Sequence, residues 1–547
     1  DLIISVRVLG VIFFFITFFY LIKNAIEEQN NKYIAISTAL GFMATSGIIA
    51  VWFFGGLEQP LVCALLSASI YYILSMIREK NFDIKKSLKA GILLGLLAIT
   101  RPDGILFTIS ITIGILFIKK INKETFFSAF VIFLPSIILI TAQTIFRIFY
   151  YNDILPNSAY LKLGLSQKYI QYGLHYLKQG IESMLLIMFI LILCIITQYF
   201  NNTNRSKFTF LIIPLLVWII YIITIGGDIF PAYRHLAPVI VIMSYMIFYG
   251  MSDIEKIFSL NNKLKILLTI TIIILLSINF INQFKDKMIK LAKYERWEWL
   301  GKTIGLMLKK AFFDKQPLMA ISAAGCLPYW SDLPVIDTLG LNDYYIPRYS
   351  KKDPKERRIA HELGDGAYIL SRNPDLIIFY GPFGSMGPMY SSEVQMFDME
   401  EFKEKYIPCF IRPEKNSNDY SIIWFRLDSL KTGLKVYQNK IFLPAYFLSY
   451  GGHTYSYFDD TEKIFKAILK NNRPCGIIGL KLNPGKYILE TEPKINCSVF
   501  IYDNLSKKEI KYGKLPVDFN FYGGKIDIKI TSEENSELKG IYLKSNN

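Results

Sequence analysis

Ten stretches of this chain are apolar over most of their length: residues 2–22, 33–52, 60–77, 88–100, 103–118, 126–148, 181–200, 208–225, 237–251 and 265–284. A hydrocarbon core of about 30 Å takes about 20 apolar residues in a helix. The runs therefore predict about ten membrane helices, the shortest needing neighbours to cross. Past residue 284 the pattern changes. From Lys285 to Trp299 charged and aromatic residues alternate at helical spacing, and runs such as LMAISAAG and PDLIIFYGP then read as strands between helices. After a hinge near 430–450, GIIGLKL, NPGKYILETE, CSVFIYD, VDFNFYGG and KIDIKITS read as short alternating strands. The expected fold is a polytopic α-helical membrane domain over 1–284, an extracytoplasmic α/β domain over 285–435, and a β-sandwich of a kind that often binds carbohydrate over 436–547.

Composition agrees with this reading. Of 547 residues 52% are hydrophobic and 19% charged, against about a quarter charged in a soluble protein. The net charge of +16 does not point to nucleic acid, because many of the Lys and Arg residues flank the apolar runs. Alternate connections are basic: Lys23 and Lys32; Arg78, Lys80, Lys85, Lys86 and Lys89; Lys119, Lys120 and Lys123; Arg205 and Lys207; Lys256, Lys263 and Lys265. Positive loops stay in the cytoplasm. The others, FGGLEQP, RPDG, 149–180 and 226–236, then lie outside, as do residue 1 and everything after 285. Asp1 opens directly on an apolar run, so a further span and outer loop are expected upstream of it.

Charged groups at membrane depth are costly unless paired or wetted, which makes them functional candidates. They gather in the external connections. Glu58 follows two glycines and a leucine. Arg101 and Asp103 flank Pro102. Asn152, Asp153, Asn157 and Lys162 lie in the segment that ends near His175, and Asp228, Tyr233, Arg234 and His235 lie in the opening stretch. Each also has a plainer reading: a helix-end cap with a snorkelling guanidinium for Arg101 and Asp103, an interfacial turn for Glu58, a helix cap for Asp228, packing for His235, turns around Pro156 for the asparagines. A carboxylate accepts a proton from an attacking hydroxyl, and Arg or Lys holds a departing phosphate. A lipid-phosphate-linked sugar meets both. The chain has no G-x-x-x-x-G-K-[ST] cradle and no obvious His or Cys metal cluster, so no cofactor is expected and no metal ligand is singled out, the metal requirement staying open.

GLEQPL, ITRPDG, YYNDILPNSAYLK, GGDIFPAYRHLAPV and VIDTLGLNDYYIPR resemble, in order and spacing over residues 1 to 380, a family of bacterial GT-C glycosyltransferases. Its best-known member is the actinobacterial enzyme that adds terminal arabinofuranose to cell-wall arabinan. The resemblance implies a GT-C membrane domain in the bacterial plasma membrane and inverting, extracytoplasmic transfer from a polyprenyl-phosphate sugar to a cell-envelope glycan or glycolipid. On these residues Asp228 and Glu58 are the expected catalytic acids, and Arg101, Arg234 and Lys162 the expected phosphate or sugar binders. GT-C enzymes usually carry an acidic motif in the first external loop, which here would lie upstream of Asp1. The rich Ile, Lys and Asn usage suggests an AT-rich genome, so the donor sugar stays open. A non-enzymatic transporter or sensor with an external glycan-binding domain is the alternative.

In the soluble part, Asp337, Asn342 and Asp343 follow a predicted strand, either as a loop closing over the site or as a turn and helix cap. The run KKDPKERR (351–358) is expected to be a solvated face. Tyr502 and Tyr522 either stack on sugars or fill the sandwich core, the latter preferred. Cys63 and Cys194 are packing residues, and Cys475 with Cys497 is the expected pair among the four external cysteines.

Overall fold

The computed structural model describes residues 2–28, 32–79, 83–118, 122–162, 167–200, 203–258, 262–351, 361–470 and 473–545. They form two compact units, Asp1–Pro156 with Lys162–Glu295, and Asn157–Leu161 with Arg296–Asn547.

The first unit is helical: α1 (Leu2–Glu27), α2 (Tyr33–Ala44), α3 (Gly47–Phe54), α4 (Gln59–Glu79), α5 (Ile84–Thr100), α6 (Ile105–Ile118), α7 (Lys123–Tyr151), then, past α8 (Asn157–Lys162), α9 (Gln167–Ser183), α10 (Leu185–Phe200), α11 (Arg205–Thr224), α12 (Ala237–Phe258), α13 (Asn262–Lys285) and α14 (Lys287–Tyr294). Among the described residues six helices are long and apolar enough to cross a membrane, or up to eight if each bent pair is one span. The run expected as one span over 33–52 bends by 58° between α2 and α3, where Ser46 caps α3 by accepting the Ile49 amide. The two helices flanking Arg101 are short, so they belong to the runs that need neighbours.

Burial separates the roles of these helices. The window over α12 is 94% buried and those over α1 and α13 only 11%, which makes α12 the central helix and leaves two apolar helices facing outward. Such a bundle gains little from hydrophobic exclusion between helices in lipid and relies on small residues and short polar contacts. Gly91 illustrates this, because a Cβ there would meet the Ile132 carbonyl of α7 at 2.6 Å. Alongside it the Ser87 and Ser128 hydroxyls bond at 2.6 Å.

The second unit starts with α15 (Trp297–Phe312) and holds strands β1 (Met319–Ile321), β2 (Val335–Asp337), β3 (Leu376–Ile378), β4 (Tyr406–Arg412), β5 (Ser421–Arg426), β6 (Lys435–Tyr437), β7 (Lys440–Pro444), β8 (Ser456–Asp459), β9 (Ile464–Leu469), β10 (Cys475–Leu482), β11 (Gly485–Glu492), β12 (Ser498–Asp503), β13 (Glu509–Lys514), β14 (Val517–Phe521), β15 (Gly524–Thr531), β16 (Ser536–Leu538) and β17 (Gly540–Ser545). LMAISAAG and PDLIIFYGP supply β1 and β3, both parallel and fully buried, which is why they read as continuous apolar runs. The largest sheet has the order β16-β9-β8-β4-β5-β3-β1-β2, so residues on both sides of 435 share it. The sandwich pairs a sheet β10-β15-β12-β13 with a sheet β14-β11-β17-β7-β6, and their inward residues, Val499, Ile528, Leu489 and Leu543 among them, share one core.

Asn157–Leu161, from the connection between α7 and α9, belongs to this second unit. Leu161 is 2% exposed and sits in a cluster with Ala320, Ile336 and Ile377. Leu161→Ala should cost about 2–5 kcal/mol in that unit, read as faster hydrogen exchange at the Ala320 and Ile336 amides. Unchanged protection there contradicts the placement.

The expected Cys475–Cys497 pair is not formed, and both residues are buried thiols. Cys475 lies opposite Ile530 of β15, while Cys497 leads into β12 on the other side of β15. With one strand between them their backbones stand about 10 Å apart, beyond disulfide reach. Tyr522 does not fill the core either, being 93% exposed.

Candidate functional site

The irregular stretch 226–236 lies between α11 and α12, and non-helical backbone at membrane depth needs other groups to satisfy it. Two tryptophans do so, Trp52 Nε1 donating to the Ala232 carbonyl and Trp218 Nε1 to the His235 carbonyl, both at 2.8 Å. The Tyr176 hydroxyl accepts the His235 amide at 3.0 Å. Gly227 has φ 80° and no room for a Cβ, which would meet the Tyr176 ring at 2.6 Å, so glycine is required. Ala232 and Tyr233 follow at φ 55° and 52° without that freedom. Two successive left-handed non-glycine residues store strain of the sort found at functional sites.

This backbone presents Arg234 to Asp228 in a fork, Nε to Oδ2 at 2.7 Å and Nη2 to Oδ1 at 3.1 Å. The pair is buried, with 8% and 1% of the side chains exposed. Arg234 also lies over the Phe230 ring at 4.7 Å and near Trp52. A second fork joins Arg101 to Asp103, at 2.8 and 2.7 Å, while Arg101 Nη1 reaches Glu58. The Tyr221 hydroxyl donates to Asp103 at 2.7 Å. His235, 1% exposed, packs its ring near Trp218 and Tyr221 and is within electrostatic reach of Asp228, Arg101, Arg234 and Asp103. Both its ring nitrogens are buried without a hydrogen-bond partner among the described residues. Tyr233 packs edge-on against Tyr176 and its hydroxyl reaches Asp286, the cap of α14, at 3.4 Å.

The structure thus brings together Glu58, Arg101, Asp103, Asp228, Arg234 and His235, which come from three of the four connections. The fourth behaves differently. Asn152 ends α7 at φ 53°, and Asp153 accepts the Leu155 amide at 3.3 Å. Asn157 donates to the Leu341 and Asp343 carbonyls, at 3.1 and 3.0 Å, and accepts from Arg348 at 2.9 Å, a clip inside the second unit. The Lys162 side chain and residues 352–358 of the basic run lie outside the described residues.

Asp337, Asn342 and Asp343 spend their hydrogen bonds inside the second unit, Asp343 also accepting the Tyr368 hydroxyl at 3.0 Å. Asp337 accepts the Leu339 and Asn342 amides at 2.9 Å each and the Asn342 side chain at 3.2 Å, and Asp343 caps the short helix Tyr345–Tyr349. Burial holds the Asp337 carboxyl above its usual range, against those donors. Burial does the same for Glu393, which accepts the Tyr380, Met389 and Tyr390 amides. Each therefore binds its proton more tightly folded than unfolded, giving stability that is complete in acid and lost as pH rises through the folded value. The double variant Asp337→Asn, Glu393→Gln should show a flatter decline of thermal midpoint from about pH 4 upward than the native protein. An equal decline contradicts this.

Trp52, Trp218, Tyr176 and Tyr221 carry no signal in the pattern of residues, because they sit in helices where aromatics look like packing. A second polar network, at the opposite helix ends, was also missed. Glu28 accepts Lys207 at 2.6 Å, the Tyr249 hydroxyl at 2.9 Å and Arg78 at 3.4 Å, and Asp253 accepts Gln198 and Asn204 at 2.8 and 3.0 Å. Its signal was present, as acids beside the basic helix ends.

A family model described as a domain of unknown function, DUF8728, matches residues 288–437, which run from α14 to β6. No curated protein and no solved structure matches the chain.

Proposed function

We propose that the chain is a GT-C type glycosyltransferase of a bacterial plasma membrane, moving a sugar from polyprenyl phosphate to an external glycan or glycolipid. One observation carries this reading: two guanidinium forks and the partly exposed Glu58 meet around an unpartnered buried imidazole at one end of an apolar bundle. Arginine forks fit phosphate oxygens, and a nearby carboxylate is what an attacking hydroxyl needs.

Glu58 is 31% exposed at its side chain and Asp228 only 1%, so Glu58 is the better base and Asp228 the brace for Arg234. A donor phosphate that draws Arg101 away from Glu58 frees that carboxylate. The acceptor oxygen then bonds to the anomeric carbon as its proton passes to Glu58. The bond from that carbon to the phosphate oxygen breaks, and the electron pair leaves with polyprenyl phosphate, whose new charge lies beside Arg101 and Arg234. On this reading the C-terminal unit is external, which is supported by Asn157–Leu161, from a connection expected outside, being part of it.

The test presents labelled polyprenyl-phosphate sugar to the full chain in membranes, with and without a candidate glycan acceptor. Label in a new glycosidic bond is expected. Movement of the lipid across the membrane without such a bond, or no transfer to any acceptor, overturns the reading.

A further inference from the structure

In a two-sheet sandwich the inner face is apolar and the outer face ordinarily polar. The outer face of the sheet β10-β15-β12-β13 departs from this. On β12, Val499 and Ile501 are buried, which turns Phe500 and Tyr502 outward. Their rings are parallel to within 2°, with centroids 6.4 Å apart. Tyr512 of β13, 54% exposed, pairs directly with Phe500 and brings its ring to 4.6 Å. The three rings make a contiguous aromatic strip, with Tyr512 tilted by 31° against Phe500, where water would favour short polar side chains.

Beside the strip lies a built polar floor. Asp527, opposite Tyr502 on β15, is 5% exposed and accepts the Gly479 amide at 2.9 Å, Asn504 at 2.6 Å and Lys507 at 2.9 Å. Lys529, opposite Phe500, holds its ammonium 5.6 Å from that ring and has no acceptor among the described residues. The next position across is Gly476, where a Cβ would strike the Ile528 carbonyl at 1.9 Å. No side chain can stand there, and the gap leaves the Lys529 donors open. Asp527 is already matched by Lys507, so the unmatched charge on this floor is positive.

We infer that this face binds an acidic glycan chain, its sugar rings lying on Phe500, Tyr502 and Tyr512 and a carboxylate or phosphate group meeting Lys529. Aromatic faces accept the C–H side of a sugar ring while leaving its hydroxyls to polar neighbours. The strip is too narrow, and too interrupted by Asp527 and Lys529, to resemble an apolar protein interface.

Binding is measured without any lipid-linked donor, so its failure leaves the transfer reaction untouched and failure of transfer leaves it standing. The full chain in zwitterionic nanodiscs is titrated with alginate, a polyuronate, and with neutral dextran of similar length. Alginate is expected to bind, more weakly as salt rises, and dextran at least tenfold less tightly. Tyr502→Ala with Tyr512→Ala should weaken alginate about tenfold or more, and Lys529→Gln, a surface exchange that leaves the fold intact, should remove most of the preference for alginate. Absence of alginate binding, equal affinity for dextran, or an unchanged preference in Lys529→Gln overturns the inference.

Discussion

Glu58→Gln is expected to lower the rate of sugar transfer about 10²–10⁴-fold, the usual contribution of a positioned general base, with the KM for the lipid donor nearly unchanged. Glutamine keeps the size of the side chain and an oxygen for Arg101, so binding of the donor phosphate survives. It has no site for the acceptor's proton. Asp228→Asn should behave differently, because that carboxylate is buried and engaged by both Arg234 bonds, and its loss falls on how Arg234 is held. The KM for the donor then rises more than kcat falls. Steady-state kinetics on the two variants separate the roles, and a larger kcat loss in Asp228→Asn than in Glu58→Gln reverses the assignment.

Arg234→Met should cost about 3–5 kcal/mol of stability, the range for removing one partner of a buried ion pair. The reason is Asp228, left charged with 1% of its side chain exposed and, among the described residues, two of its three hydrogen bonds gone. Replacing both, Arg234→Met with Asp228→Leu, removes the stranded charge and should restore most of the loss. Unfolding of the detergent-solubilised chain measures both. If the single variant is as stable as the native protein, water reaches Asp228 and the pair is not the closed unit described.

Much of this was legible in the chain, for identifiable reasons. Membrane helices announce themselves because every backbone group must be satisfied inside the segment, leaving length and apolarity as the signal. The meeting of Glu58, Arg101, Asp103, Asp228, Arg234 and His235 was expected because unpaired charges at that depth are costly. The fourth connection misled for the opposite reason. Asn157 lies in a polar loop in which sequence cannot distinguish a ligand-binding amide from one saturated by Leu341, Asp343 and Arg348. Tyr522 was misjudged because alternation in an edge strand fixes the side of each residue only up to the strand's end, and Tyr522 is the first residue past β14. The cysteine pair failed because spacing along the chain says nothing about the strand that intervenes in the sheet.

Leu161 and Asn157 also set an order of assembly. The ribosome releases them early, yet the residues that receive them, Ile336, Ile377 and Arg348, are made only after the bent pair α9 and α10 and the long helices α11, α12 and α13. Until then the α7–α9 connection has no folded partner to dock into. Premature stops beyond α13 should therefore yield bundles in which Asn157–Leu161 is cut by added protease, while the full chain protects that segment.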